Sequence, residues 1–260
     1  MTEEVWLACD GPRLMLESLS GATLERKMTL YLCAGARTLW DFLYDRRSRD
    51  AIDVLERAMD GLASPTDFDN ACYYAESPTF GYCFATSFIR KYRDDKNEGE
   101  SVRWLLDMGV YKEENIANAL VDGELIGDDR VRDRLQDLAH VVYHSFNCVI
   151  EGRVDDHLID HLSRLDEWPR GSLVREIFGN PFRPEPLDLS RITPTVETLA
   201  QAAYDDRTVP AGELYKDRLA VLSDALEEAG CTDSAILTHL RSPGPHVRGC
   251  WALDLLLGKS

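Results

Sequence analysis

The chain has 260 residues, of which 44% are apolar and 29% charged, the proportions of a packed globular protein and not of a disordered or fibrous one. Its formal net charge of −17 repels phosphate backbones and anionic lipid heads, so neither direct nucleic-acid binding nor membrane association is expected. No run approaches the roughly 18 apolar residues of a spanning helix, and Glu3 and Glu4 stand where a secretory leader is basic, which predicts a cytoplasmic protein.

Apolar residues recur at intervals of three and four along most of the chain, so the expected fold class is all-α, a multi-helix array. Leu24, Met28, Tyr31, Leu32, Leu39, Trp40 and Leu43 trace one stripe between Thr23 and Tyr44. Ile52, Leu55 and Ala58 trace a second between Ser48 and Met59, which Gly61 stops as a C-cap. Ser64 and Pro65 read as the N-cap and first residue of a third helix. Phe84, Phe88 and Tyr92 place an aromatic ridge on a helix over 80–92, and shorter helices are expected over 101–108 and 113–120. From Asp128 the series Val131, Leu135, Leu138, Val142, Phe146, Val149 predicts the longest helix of the chain, with Asp128 and Asp129 complementing its N-terminus. Short helices are expected over 155–165 and 172–178.

Pro181, Pro184 and Pro186 then forbid regular helix and mark an extended connector. They predict a helical body over 1–182, a connector over 183–194 and a compact C-terminal helical subdomain over 195–260. Within that subdomain, helices are expected over 195–204, 211–229, 234–240 and 245–257, with Gly230 as a C-cap, Gly244-Pro245 as a helix start and Trp251 as an anchor. Residues 195–260 hold 6 Lys and Arg against 10 Asp and Glu, so the acidity is spread along the chain and is not a tail. The seven cysteines are scattered, odd in number and without a C-x-x-C pair, which predicts reduced, mostly buried thiols.

Three stretches have the wording of a family signature: Gly179-Asn180-Pro181-Phe182-Arg183-Pro184, the run Asp224 to Cys231, and Gly244-Pro245-His246-Val247-Arg248-Gly249-Cys250-Trp251. With Trp6-Leu7-Ala8-Cys9, the run Asp10 to Leu16, and Arg26-Lys27-Met28-Thr29-Leu30, they resemble a bacterial family of uncharacterised all-helical proteins, over roughly the first sixty and last eighty-five residues. The resemblance implies a shared fold and lineage and names no activity. Family members carry further cysteines and arginines where this chain has Cys33-Ala34-Gly35-Ala36-Arg37, and they do not share the histidines of the long helix.

Two constellations carry candidate chemistry. His140, His144 and Cys148 lie four apart on one face of the long helix, and His157 and His161 repeat the spacing on the next. Histidines at i and i+4 can share one metal ion, and a facing pair completes a tetrahedral set, so His140, His144, His157 and His161 form a candidate zinc site. His157-Leu158-Ile159-Asp160-His161 has the shape of an inverted zinc-protease motif with Asp in place of Glu. In the second constellation His246 and Arg248 stand beside the helix start expected at Gly244-Pro245, a candidate contact for an anion or a partner; Cys250 lies one turn beyond His246, so a cysteine–histidine nucleophile can be drawn, but Val247, Trp251 and Leu255 give that helix a buried face which Cys250 adjoins.

No phosphate-binding loop, dinucleotide fingerprint, G-x-S-x-G or H-E-x-x-H occurs in the sequence. Negative charge without such a motif predicts a non-enzymatic protein-interaction module with no cofactor, presenting an acidic surface to a protein partner. The alternatives are a metal-dependent hydrolase built on the histidine cluster, and an acidic decoy of a nucleic-acid-binding protein.

Overall fold

Among the described residues the regular elements are helices, and β-structure is limited to the isolated bridges Arg207↔Leu214 and Glu213↔Val247. The computed structural model describes residues 1–19, 24–43, 46–76, 129–151, 158, 161, 162, 164, 165, 168, 171–183 and 192–259. In chain order the helices are α1 (Glu3–Ala8), α2 (Pro12–Glu17), α3 (Leu24–Thr38), a 3-10 turn (Trp40–Phe42), α4 (Arg46–Met59), α5 (Asp129–Glu151), α6 (Gly171–Phe178), α7 (Pro194–Asp205), α8 (Lys216–Glu228), α9 (Ser234–Leu240) and α10 (Trp251–Leu257). Residues 65–76 are helical as well. Among the described residues, no helix is long and apolar enough to cross a membrane.

The chain forms two compact units, Met1–Thr38 with Trp168–Ser260, and Leu39–Glu167. The boundary expected at 183–194 therefore falls inside the first unit, and residues 184–191 of it lie outside the described residues. The reason is packing: α6 lies against α2, α3 and α10, so the N-terminal helices share a core with the C-terminal ones. Arg26 of α3 donates to Asp254 of α10 at 2.5 and 3.2 Å and to the Tyr204 hydroxyl of α7 at 2.8 Å. Arg175 of α6 donates to the carbonyls of Trp6 and Cys9 at 3.1 and 2.7 Å, satisfying acceptors left over at the end of α1.

Trp168 shows how close that packing is. Its indole N–H donates to the Tyr31 hydroxyl at 2.9 Å, and a Cβ at Gly35 would sit 2.2 Å from its ring. Only glycine lets the indole lie on α3 at that height.

The helices α7 to α10 close around Val196, Tyr204, Leu222, Leu226, Ile236 and Leu253, all buried. Their caps follow the sequence. Thr193 accepts from Val196 N, with Pro194 at the first helical position. Asp233 accepts from Ala235 N and Ile236 N. Gly230, at φ +85°, ends α8 while Cys231 N donates to Leu226 O at 2.9 Å, the hydrogen bond of a Schellman cap.

Three expected helices start or stop elsewhere. α3 ends at Thr38, where the threonine hydroxyl takes the Gly35 carbonyl at 2.7 Å and the chain turns into the 3-10 segment instead of running on to Tyr44. The helix expected from residue 211 begins at Lys216, because 207–214 folds back on itself: Thr208 N donates to Glu213 O at 2.8 Å, and Gly212 stands at φ +75°. The helix expected from Pro245 begins only at Trp251. Gly244 and Gly249, at φ +91° and +89°, break the helical path, and Leu214 N donates to His246 O at 2.8 Å.

In the second unit α4 packs on α5, and Phe68 meets Phe146 with ring centroids 5.1 Å apart. Ser64 Oγ accepts from Asp67 N at 3.1 Å and Asp67 Oδ2 accepts from Ser64 N at 3.3 Å, a reciprocal cap that starts the helix at 65–76. Gly61, at φ +70°, follows α4. The helices expected over 80–92, 101–108 and 113–120 lie outside the described residues, as does most of 155–165.

Candidate metal centre

Glu176 of α6 is 3% exposed, a placement that a carboxylate tolerates only with partners. Its Oε1 accepts from Val247 N at 3.2 Å, which leaves Oε2 to face two rings, His239 Nε2 at 3.1 Å and His246 Nδ1 at 3.4 Å. Cys250 Sγ lies 3.2 Å from the same His239 Nε2. One donor atom from each of Glu176, His239, His246 and Cys250 lies within 4.8 Å of all the others.

Three pieces of chain bring these donors together. His239 lies in the last turn of α9, six residues after the Asp233 cap, so the helix start fixes its azimuth. Residues 241–250 then form an irregular loop in which Gly244 is indispensable: a Cβ there would lie 2.8 Å from His246 N, and φ is +91°. The loop turns His246 inward and delivers Cys250 to the start of α10, fully buried.

The tautomer of His246 follows from its other nitrogen. Nε2 lies 3.0 Å from the Ser242 carbonyl, which can only accept, so Nε2 carries a proton. In the neutral ring Nδ1 is then a lone pair aimed at Glu176, and a lone pair facing a carboxylate needs either a second proton or a cation between them. This is how a metal-bound histidine is usually held, with its far N–H on a backbone carbonyl. The separations of 3.1, 3.2 and 3.4 Å are close to the edges of a tetrahedron with bonds of roughly 2.0–2.3 Å.

A cysteine–histidine–glutamate relay fits less well. A relay needs the thiol on one ring nitrogen and the carboxylate on the other. Here Sγ and Oε2 both face Nε2 of His239. Burial pushes the Cys250 thiol well above its ordinary pKa, with the Glu176 charge adding to the rise, so without a cation it stays a thiol. Burial also works against the Glu176 carboxylate, but hydrogen bonds and charge from His239 and His246 outweigh it and hold its pKa below the ordinary value. For His246 burial favours the neutral ring, and the Glu176 carboxylate outweighs it to raise the pKa.

A cavity of about 560 Å³ borders this cluster, and Glu176, His239, Trp251, Trp6, Arg175 and Asn180 are among the residues that line it. Glu176 and His239 line that cavity and Cys250 and His246 do not, and His239 is the one of the four that is not fully buried.

The sequence had pointed to only part of this. His246 and Cys250 were expected one turn apart on a helix; they meet through a loop. The anion contact expected of His246 and Arg248 rested on a helix beginning at Gly244-Pro245. His246 is instead buried against a carboxylate, and Arg248 lies over the Tyr204 ring at 5.4 Å. Glu176 and His239 were not singled out, although the spacing His239-x6-His246-x3-Cys250 was a legible signal.

In the second unit His140, His144 and His161 come together, with one nitrogen of each within 4.8 Å of the others. Cys148, on the same helical stripe, is buried and is not one of that group. His157 lies outside the described residues. Burial, and then the charges of His161 and His144, depress the pKa of His140 to about 4. Comparison with protein-family models, curated proteins and solved structures finds no match for this chain.

Proposed function

We propose that the first unit is a metal-binding helical module in which a zinc-class divalent ion is held by Glu176 Oε2, His239 Nε2, His246 Nδ1 and Cys250 Sγ. The observation that carries this reading is the convergence of four donors of three kinds, three of them almost wholly buried, within 4.8 Å of one another. Nitrogen, thiolate and a single carboxylate oxygen together suit Zn²⁺ better than Mg²⁺ or Ca²⁺, which prefer all-oxygen shells.

Four protein donors fill a tetrahedral shell, so the ion's role is structural: it fastens α6 to α9 and to the loop before α10. Such a staple accords with a non-enzymatic module that meets a protein partner through an acidic surface, and the net charge of −17 favours a basic partner.

Elemental analysis of full-length protein, purified without a histidine tag and without chelators, tests the reading. Wild type carrying one more zinc-class ion per chain than Cys250→Ser is the expected result. A metal-free protein whose melting temperature ignores added Zn²⁺ overturns it, and leaves the cluster as a proton-bridged carboxylate–imidazolium pair.

A further inference from the structure

The three histidines of the second unit pose a separate question, because nothing in the packing of α5 calls for a cluster of imidazoles. The rings of His140 and His161 are parallel within 4° and 4.3 Å apart, and His144 lies 5.8 Å from each at 26°. Stacking at that distance is tolerable for neutral rings and repulsive for imidazolium pairs. Each neutral ring has one lone pair, so the group presents three lone pairs in a small volume.

Two of the rings are set up in a way that hydrogen bonding alone does not account for. His161 Nδ1 lies 2.7 Å from Asp137 Oδ1, and the same oxygen accepts from Arg164 Nη1 at 3.3 Å. A carboxylate oxygen already engaged by a guanidinium accepts here, so the proton sits on Nδ1 of His161 and Nε2 keeps the lone pair. That is the carboxylate–histidine arrangement which fixes the tautomer and raises the basicity of a metal ligand. His140 Nδ1 is buried and has no hydrogen-bond partner, a deficit that a bound ion removes. The third ring, His144, has the Asn147 side-chain amide 3.4 Å from its Nδ1, and rotating that amide lets it serve either tautomer.

We propose that His140, His144 and His161 form a second metal site, a three-histidine centre with Asp137 as the group that positions His161, whose fourth position is left for water or a small anion. The donor set is all-imidazole, which suits Zn²⁺, Co²⁺, Ni²⁺ or Cu²⁺ and sets it apart from the thiolate-containing centre at Glu176. The half-buried state of all three histidines supplies the access that an exchangeable ligand needs. This site stands on residues of the second unit alone and does not depend on the centre in the first.

Titration of the stripped, tag-free full chain with Co²⁺ tests it, because thiolate ligation adds a near-ultraviolet charge-transfer band and imidazole ligation does not. Wild type is expected to take up two equivalents, one with the thiolate band and one without. Cys250→Ser should keep one equivalent and lose the band, whereas His161→Ala should keep the band and lose the other equivalent. Asp137→Asn, which preserves side-chain shape, should weaken the second equivalent by about 10–100-fold and leave the first alone. Azide or thiocyanate should alter the visible spectrum of the band-free equivalent, the sign of an open position. Two equivalents in folded His161→Ala, or unchanged affinity in Asp137→Asn, overturn the proposal, and a wild-type chain that binds Co²⁺ only with the thiolate band does so too. A wild-type chain that takes up only the band-free equivalent overturns the reading at Glu176 instead.

Discussion

Glu176 and His246 face each other at 3.4 Å, Oε2 to Nδ1, with both side chains nearly excluded from water. The carboxylate's other oxygen is occupied by Val247 N and the imidazole's other nitrogen by the Ser242 carbonyl, so neither group can turn away. A buried pair held this firmly is costly to break on one side only, since the survivor keeps its desolvation and loses its partner.

Glu176→Gln should therefore destabilise the metal-free protein by about 3–5 kcal/mol, because the amide neutralises the carboxylate and leaves the neighbouring rings without a counter-charge. Urea unfolding of the chelator-treated variant against wild type measures this. A loss no larger than that of a typical surface substitution means that the pair does little to hold the first unit together.

Adding a chelator to wild type should lower its melting temperature, and Cys250→Ser should show a smaller further drop with the same chelator. The physical reason is mass action: an ion that binds only the folded state stabilises it by its binding free energy. Equal melting temperatures with and without chelator, in both proteins, contradict the prediction.

Gly35→Ala places a methyl group 2.2 Å from the Trp168 ring. The indole must leave α3 and abandon its hydrogen bond to Tyr31. Overpacking of this kind costs roughly 1–3 kcal/mol. Trp168 fluorescence should shift to the red in the same variant as the ring gains water; a variant with wild-type stability and emission refutes the packing described for α3.

Removing Arg26 acts on the join between the N-terminal and C-terminal helices of the first unit. Arg26→Met keeps much of the side chain's apolar stem and deletes the charge that Asp254, 2% exposed, faces at 2.5 Å. A stability loss of about 2–4 kcal/mol is expected, and Arg26→Met combined with Asp254→Asn should recover part of it. A strictly additive double variant shows that the two side chains are not coupled.

Tyr31 gives a pH dependence of definite sign. Burial raises its phenol above the ordinary value of 10, and the hydrogen bond from Trp168 offsets that only in part. The folded state therefore binds the proton more tightly than the unfolded chain, so its contribution is complete below about pH 10 and is lost as pH rises further. Thermal unfolding should show wild type losing stability faster than Tyr31→Phe above about pH 10. Parallel profiles for the two proteins count against it.

Most helices were legible from residue spacing alone. The stripes of α4 and α5, the Ser64 cap and the glycine stops at Gly61 and Gly230 are relations between residues a few positions apart, and such relations are written directly into the order of the chain. The misplaced starts of α8 and α10 have one cause. Gly212, Gly244 and Gly249 all adopt positive φ where 207–214 folds back on itself and meets the loop before α10 through Glu213 and Val247, and that meeting has no local signature.

The sequence by itself determined an all-helical fold, its acidity, and the presence of histidines and cysteines with helical spacing. Only the tertiary structure decided which of them meet. Glu176 reads as an ordinary polar position of α6 until α9 and the loop after it are folded over it. His239 reads as a helix-end histidine until Cys250 arrives beside it. A metal centre is assembled from donors on separate elements, and the free energy that brings those elements together comes from apolar burial that the donors themselves do not supply.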